Sequence, residues 1–376
     1  MNSFEIIKGQ GGVPKALPNK DHVSGLICYY PAELATKYPN TAVFETNEDA
    51  QNSFSGIADL GVMQYHIAEY FRMQPAGRLW VKVIDIQERD YTADIKALQD
   101  EAGGEIRQLG IWAGSKAETV NLVPGDLTKM QTAATELESK GTPLSIVVAG
   151  RIDEAEISGS AWRQSGRCNV SVVVGEDLDE DVSKIGVADD ELTAIGACLG
   201  CISKAAVNES IAWVAKFNLA YSRVGVGGAK LTDAQKTTYD NAGFIFPVQY
   251  DGVAGAYWND SHTMDVATSD YSTIESMRSI DKACRGVRTY LLPYLASPVY
   301  LNDDGTMRAD SLANLKNVAG QALEAMERAG ELSGYVVEID ANQNILANST
   351  VEFVIKNVAV GVMRNIKIKI GYVTNL

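Results

Sequence analysis

The sequence predicts an α/β protein. A mixed, mostly parallel sheet with flanking helices occupies the middle of the chain, a C-terminal α+β domain follows, and extended arms lie at both ends. Three observations carry this reading. Between residues 79 and 174, short β-rich runs alternate with amphipathic helical runs, the spacing of βαβ units on a sheet covered on both faces. Residues 1–25 are punctuated by Gly9, Gly11, Gly12, Pro14 and Pro18, with one strand-like patch from Phe4 to Ile7 that carries Phe4 and Ile6; such a segment cannot close a core alone. Near the end, 365–372 (NIKIKIGY) alternates, with Ile366, Ile368 and Ile370 on one face and Lys367 and Lys369 on the other. The expected division is an arm at 1–25, an α/β domain at 26–225, a C-terminal core domain at 226–356 and a strand extension at 357–376.

In chain order, 57–73 reads as a helix with Ile57, Leu60, Met63, Ile67 and Phe71 on one face. Strands follow at 79–86, 106–112, 144–149 and 168–174, and helices at 91–102 and 127–137, the latter with Asp126 as N-cap. Residues 189–216 read as helix-rich, and 225–262 as short strands and turns rich in glycine and aromatics. Ser272 and Glu275 spell a capping box for a helix with Ile274, Met277, Ile280, Cys284, Val287 and Leu291 inward. A third strong helix spans 311–329, capped by Asp310. Strands at 335–340, 350–356 and 365–372 close the chain.

Composition narrows the function. The chain has 376 residues, 46% hydrophobic and 22% charged, with a net charge of −15. Phosphate binding needs a basic surface, and the longest basic feature is the pair Lys367 and Lys369, so direct nucleic-acid binding is excluded. The most apolar windows, 144–150 and 192–202, are far shorter than the roughly 20 residues of a membrane span. The N-terminus lacks the pattern of a signal peptide. Five cysteines, an odd number, predict reduced thiols and assembly in a cytoplasm.

No motif carries catalysis. Cys198 and Cys201 form a CxxC inside an apolar helical run, without a second pair or a nearby histidine, and read as small core residues. Gly225, Gly227 and Gly228 lack the third glycine of a dinucleotide loop, since Lys230 stands there, and read as a structural turn. His22, His66 and His262 have no HExxH or GxSxG context and read as surface or hydrogen-bonding residues. The acidic run 176–181 lacks the EF-hand pattern and reads as a solvated loop. Asp303, Asp304 and Gly305 mark a turn. No cofactor or metal is expected.

Residues 231–292 carry a resemblance. Ala242-Gly243, Asp251-Gly252, Gly255, Tyr257-Trp258, Asp260, Ser269-Asp270-Tyr271, Ile274-Glu275, Arg278, Asp281-Lys282-Ala283, Arg285 and Arg288 resemble the C-terminal half of contractile tail sheath proteins, in the branch common in Bacteroidetes phages and related injection systems. The closing strands and the layout upstream are similar in outline. The resemblance implies a C-terminal sheath domain in a structural subunit of a virion tail or tail-like particle. It implies hexameric rings stacked helically around a tail tube, with baseplate and tail terminator proteins as partners, and terminal strands passed to neighbouring subunits. Phe4, Ile6, Ile366, Ile368, Ile370 and Tyr372 are then the expected assembly residues. Arg278, Asp281, Lys282, Arg285 and Arg288 are expected interface charges, against the plainer reading of a solvated helix face. The competing class is a hydrolase-like α/β enzyme, which would show catalytic side chains converging at strand C-termini.

Overall fold

The structure is a computed structural model, and it describes residues 21–38, 40–54, 60–113, 121–150, 152, 156–157, 161–179, 185 and 192–372. Its strands are β1 (Val23–Tyr30), β2 (Ala42–Phe44), β3 (Arg78–Asp85), β4 (Gln108–Ala113), β5 (Ser145–Gly150), β6 (Val170–Val173), β7 (Glu176–Asp177), β8 (Val224–Gly225), β9 (Phe244–Ile245), β10 (Pro247–Val248), β11 (Tyr257–Trp258), β12 (Gly334–Glu338) and β13 (Val354–Val358). Its main helices are α1 (Gly61–Met73), α2 (Tyr91–Glu101), α3 (Pro124–Ser139), α4 (Ile195–Lys204), α5 (Asp233–Asn241), α6 (Ile274–Leu291) and α7 (Ala309–Arg328).

Seven strands form one sheet in the order β2-β3-β1-β4-β5-β6-β9. All neighbours pair in parallel except β2 with β3. Every residue of β1, β4, β5 and β6 is buried, because helices cover both faces and no side of these strands meets water. One face packs on α1 and α4 through Met63, Ile67, Tyr70, Leu199 and Ile202. The other packs on α2 and α3 through Ile95, Leu98, Leu127, Met130 and Leu137.

Helices α1 and α4 approach closely because α4 presents glycines. A Cβ at Gly196 would sit 2.2 Å from the His66 carbonyl oxygen, and one at Gly200 would sit 2.7 Å from that of Tyr70. Cys198 and Cys201 lie on the same helix and are fully buried. Burial pushes both thiols up, Cys201 to about 12, so they stay protonated and pack as small apolar groups. The Cys201 Sγ accepts the Trp258 indole N–H at 3.5 Å.

Beyond the sheet, α6 packs on α7, with Gly286 placed where a Cβ would meet that of Ala322 at 2.8 Å. The antiparallel hairpin β12–β13 lies on α7, with Tyr335, Val337 and Ile355 against Leu323, Met326 and Leu332.

Several expectations are corrected. β1 begins at Val23, inside the expected arm of 1–25, and residues 1–20, with Phe4 and Ile6, lie outside the described residues. β9 joins the main sheet by pairing with β6, so the sheet draws on residues past 225. Helix α1 starts at Gly61, and Ile57 lies outside the described residues. In α3 the cap is Val123, followed by Pro124; Asp126 stands at the third helical position and accepts the Val123 N–H at 3.3 Å. Only Ile195–Lys204 is a long helix within 189–216, because Ala205 turns to an extended conformation. Helix α5 was not expected; Thr232 and Gln235 cap it reciprocally at 3.3 and 3.0 Å. Helix α6 starts after Thr273 rather than Ser272, and α7 after Arg308 rather than Asp310. Residues 359–372 belong to no strand among the described residues.

The packing of α4 predicts an ordering of substitutions. Cys198→Ala with Cys201→Ala should cost about 1–3 kcal/mol through lost packing. Gly196→Ala should cost more than either single cysteine change, since its methyl group must push against the α1 backbone. Urea unfolding of the variants reads this; equal stability of Gly196→Ala and wild type would refute the close-approach account.

Candidate functional site

Helix α6 places Arg278, Asp281, Lys282 and Arg285 at i, i+3, i+4 and i+7, one face of a helix. That face turns inward, so the solvated-face reading is wrong. Arg278 is 4% exposed and Asp281 3%. The Arg278 guanidinium donates to the Ala205 carbonyl at 3.3 Å from two nitrogens and to that of Ala206 at 3.4 Å, and so satisfies carbonyls at the C-terminal end of α4, where a cation also meets the negative end of the helix dipole. Burial lowers its pKa to about 10. Lys282 bridges Asp21 at 2.8 Å and Glu331 at 2.6 Å, and Arg285 adds a second contact to Asp21 at 3.3 Å. Burial raises the Asp21 carboxyl, but Lys282 and Arg285 outweigh it and the net shift is downward. The cluster therefore joins four parts of the chain: Asp21 (two residues before β1), the turn after α4, the middle of α6 and the turn after α7. Arg288 stands apart, exposed, with its guanidinium against Gly141.

The first turn of α6 holds a second group. Glu275 is 5% exposed and accepts the Ser261 hydroxyl at 2.6 Å. Arg364, from the segment after β13, donates to both Asp260 oxygens at 2.9 and 3.0 Å, to Ser261 Oγ at 3.3 Å and to Glu275.

Past Arg364 the chain is unsupported. Ile366 is 70% exposed, Ile368 74% and Ile370 92%, and Tyr372, Lys367 and Lys369 are exposed as well. Neither face of 365–372 packs on its own subunit. The hairpin β12–β13 pairs with no third strand among the described residues, and Val336, Val354 and Val358 on its outer face are about half exposed. A groove of about 560 Å³ runs beside α6, lined by Leu291, Leu295, Val299, Leu315, Val351 and Phe353.

The remaining candidates are structural. Gly227 and Gly228 adopt φ of +59° and +80° in a tight turn, and the Gly228 N–H donates to Glu176. The acidic run is in part β7, paired with β8, rather than a solvated loop; Glu180 and Asp181 lie outside the described residues. Asp304 accepts the Thr306 hydroxyl at 2.6 Å and N–H at 3.0 Å in the expected turn. His262 lies between Arg163 and Asp240, at 3.1 Å from each. His66 corrects its reading: it is fully buried beside Trp112 with no hydrogen-bond partner among the described residues, and burial lowers its pKa to about 3. No group of three or more metal-ligating side chains occurs among the described residues, and no described helix is long and apolar enough to cross a membrane. Sequence reasoning missed Arg364 and Asp21; neither belongs to a periodic pattern that would mark its partner.

Asp281 provides a pH test. Its burial raises the carboxyl to about 7, with Glu138 pushing the same way and Arg285, Arg278 and Arg107 opposing. The folded chain then holds a proton that the unfolded chain releases between about pH 4 and 7. The stabilisation is complete below pH 4 and is lost as pH rises through about 7. Chemical denaturation from pH 4.5 to 7.5 should show wild type losing on the order of 2–4 kcal/mol relative to Asp281→Asn. Parallel curves for the two proteins would refute the assignment.

Solved structures share this fold over nearly the whole chain. The anti-feeding prophage helical sheath in its contracted state aligns with a TM-score of 0.62 at 15% identity, covering 97% of this chain and 99% of that one. The contracted sheath complex of the extracellular contractile injection system PVC aligns at 0.65 and 12%, covering 99% of each. A chain of the contracted anti-feeding prophage baseplate aligns at 0.68 and 11%, covering 100% and 98%. A protein of Haemophilus phage HP1 (strain HP1c1) with a provisional tail sheath assignment is 28% identical over 107 residues, and the match spans 28% of this chain and 27% of that protein. The resemblance to contractile sheath proteins is borne out. The DUF2586 N-terminal domain matches residues 5–262 and the DUF2586 C-terminal domain matches residues 270–376, and the chain belongs to the DUF2586 family.

Proposed function

We propose that this chain is a structural subunit of a contractile sheath, with no enzymatic role. In this reading it polymerises as hexameric rings stacked helically around a tail tube, and its shortening drives the tube into a target cell. Its partners are further copies of itself, the tube protein, and the baseplate and terminator proteins at the two ends. It works in a tail-like particle assembled in a bacterial cytoplasm.

The observation that carries the proposal is the exposed, unpaired segment 365–372, whose sequence alternates as a strand would. A run with three isoleucines on one face loses free energy when left in water, and an unpaired strand is a template for pairing with another chain. The β12–β13 hairpin offers the matching acceptor, since its outer edges lack partners among the described residues. Exchange of such strands between identical subunits is a head-to-tail contact that does not close, which builds a helical polymer. Ile366, Ile368, Ile370 and Tyr372 are the donated side chains, and Phe4 and Ile6 are assigned the same role at the other end. Arg278, Asp281, Lys282 and Arg285 serve assembly indirectly, by holding α6, while exposed Arg288 is free to meet a neighbour.

The test is electron microscopy and sedimentation of three proteins. Wild type should form tubes or rings. Deletion of 365–376 should leave a folded subunit that does not polymerise. Ile368→Asp should leave the unfolding midpoint of the subunit within about 0.5 kcal/mol of wild type, as for other exposed positions, yet abolish tubes. Tubes from the deletion variant would sink the strand-exchange account.

A further inference from the structure

Among the described residues, Arg364 is the last of the C-terminal segment with side-chain bonds to the subunit, and its partners form a built receptacle. Asp260 takes the guanidinium through both oxygens at 2.9 and 3.0 Å. Glu275, nearly inaccessible to water, takes a second nitrogen, and Ser261 lies 3.3 Å from it. A two-carboxylate grip of this kind fixes direction as well as distance, because the guanidinium is planar and its donors form a rigid fork. The receptacle is itself rigid. Ser261 accepts the Ile274 N–H with its carbonyl at 2.8 Å, and its hydroxyl is held between Glu275 and Ser210. Glu275 belongs to α6, whose middle is tied to Asp21 and to the end of α4. Glu275 precedes Lys282 and Arg285 by seven and ten residues, about 10–15 Å along the helix axis.

We propose that Arg364 and its receptacle of Asp260, Ser261 and Glu275 form a clasp that fixes where, and in which direction, the segment 365–372 leaves the subunit. This rests on the sheath reading for its purpose, but not for its existence. The clasp works through positioning. It leaves eight residues free to pair elsewhere while their root is referenced, through α6, to Asp21 at the head of the sheet. One helix thereby holds both places where the terminal segments join the folded core. With the clasp broken, the strand still exists but its origin wanders, and the productive orientation for pairing becomes one among many.

Trypsin digestion of the isolated subunit tests the clasp with an internal control. A guanidinium held by two carboxylates cannot enter the protease pocket, whereas Lys367 is free. Mass spectrometry should show the bond after Arg364 cut at least tenfold more slowly than the bond after Lys367. In Asp260→Ala the two rates should come within twofold. Arg364→Met should lower the unfolding midpoint, because buried Glu275 loses a partner, yet remain folded by circular dichroism and reduce polymer yield at least fivefold, while Arg364→Lys restores part of both. Equal cleavage at 364 and 367 in wild type overturns the clasp, and so does full polymer yield from Arg364→Met. A wild-type protein that protects Arg364 but never polymerises would instead sink the sheath reading and leave the clasp standing.

Discussion

Burying the Arg278 guanidinium is the constraint on which the C-terminal half of the molecule depends. A charge taken out of water costs several kcal/mol unless its surroundings replace the lost hydration. Here the replacement comes from the carbonyls of Ala205 and Ala206, left open where α4 ends. Those carbonyls also need donors, so the end of one helix and the middle of another satisfy each other. The geometry holds only if α6 crosses at the place where α4 stops. Lys282 and Arg285 extend the same logic to Asp21 and Glu331. The charges of α6 thus act as internal fastenings among distant parts of the sequence.

The seven-stranded sheet and the β12–β13 hairpin treat their edges differently. The seven-stranded sheet ends on β2, three residues long, and on β9, two residues long. Short edge strands give another chain little to pair with. The hairpin β12–β13 has five-residue strands and no such protection, with valines half exposed on its outer face. The segment beyond it carries an alternating run with no strand partner among the described residues. A subunit that guards one sheet and leaves another open is built to join copies through the open one, and the proposed sheath role uses that asymmetry.

Much of the fold was legible in the sequence because its signals are periodic. The parallel strands β3, β4, β5 and β6 were read as apolar runs, but β1 (Val23–Tyr30) in the middle of the sheet was not, and the long helices show apolar residues at three- and four-residue spacing. Helix ends were read less well, since Val123, Thr273 and Arg308 cap without the side-chain bond that a capping rule looks for. Helix α5 was hidden among glycines and aromatics although Thr232 and Gln235 spelled a capping box. The charged face of α6 was visible as a pattern, but its direction was not: the same i, i+3, i+4, i+7 spacing describes a solvated face or a buried network. Only the arrival of Asp21, Glu331 and the Ala205 carbonyl decides between them, and those contacts span up to 264 residues. Arg364 had no pattern to betray it, because a clasp between one arginine and two distant carboxylates has no sequence period.

Charge gives the open strand a direction. The chain carries −15 overall. Residues 357–376 contain Arg364, Lys367 and Lys369 and no acidic side chain, so removing these three cations leaves −18 on the rest. Subunit bodies of that charge repel one another, and repulsion between like-charged bodies disfavours close packing unless something of opposite sign lies between them. Arg364 is neutralised within its own subunit by Asp260 and Glu275. Lys367 and Lys369 have no such partner among the described residues, and both are exposed. In the proposed assembly, a basic segment offered by an acidic subunit would be drawn toward the next acidic subunit, and burial of Ile366, Ile368 and Ile370 would supply the free energy that retains it there. On that reading the lysines select the approach and the isoleucines secure the contact, and the alternation of the sequence is what would allow one short segment to do both.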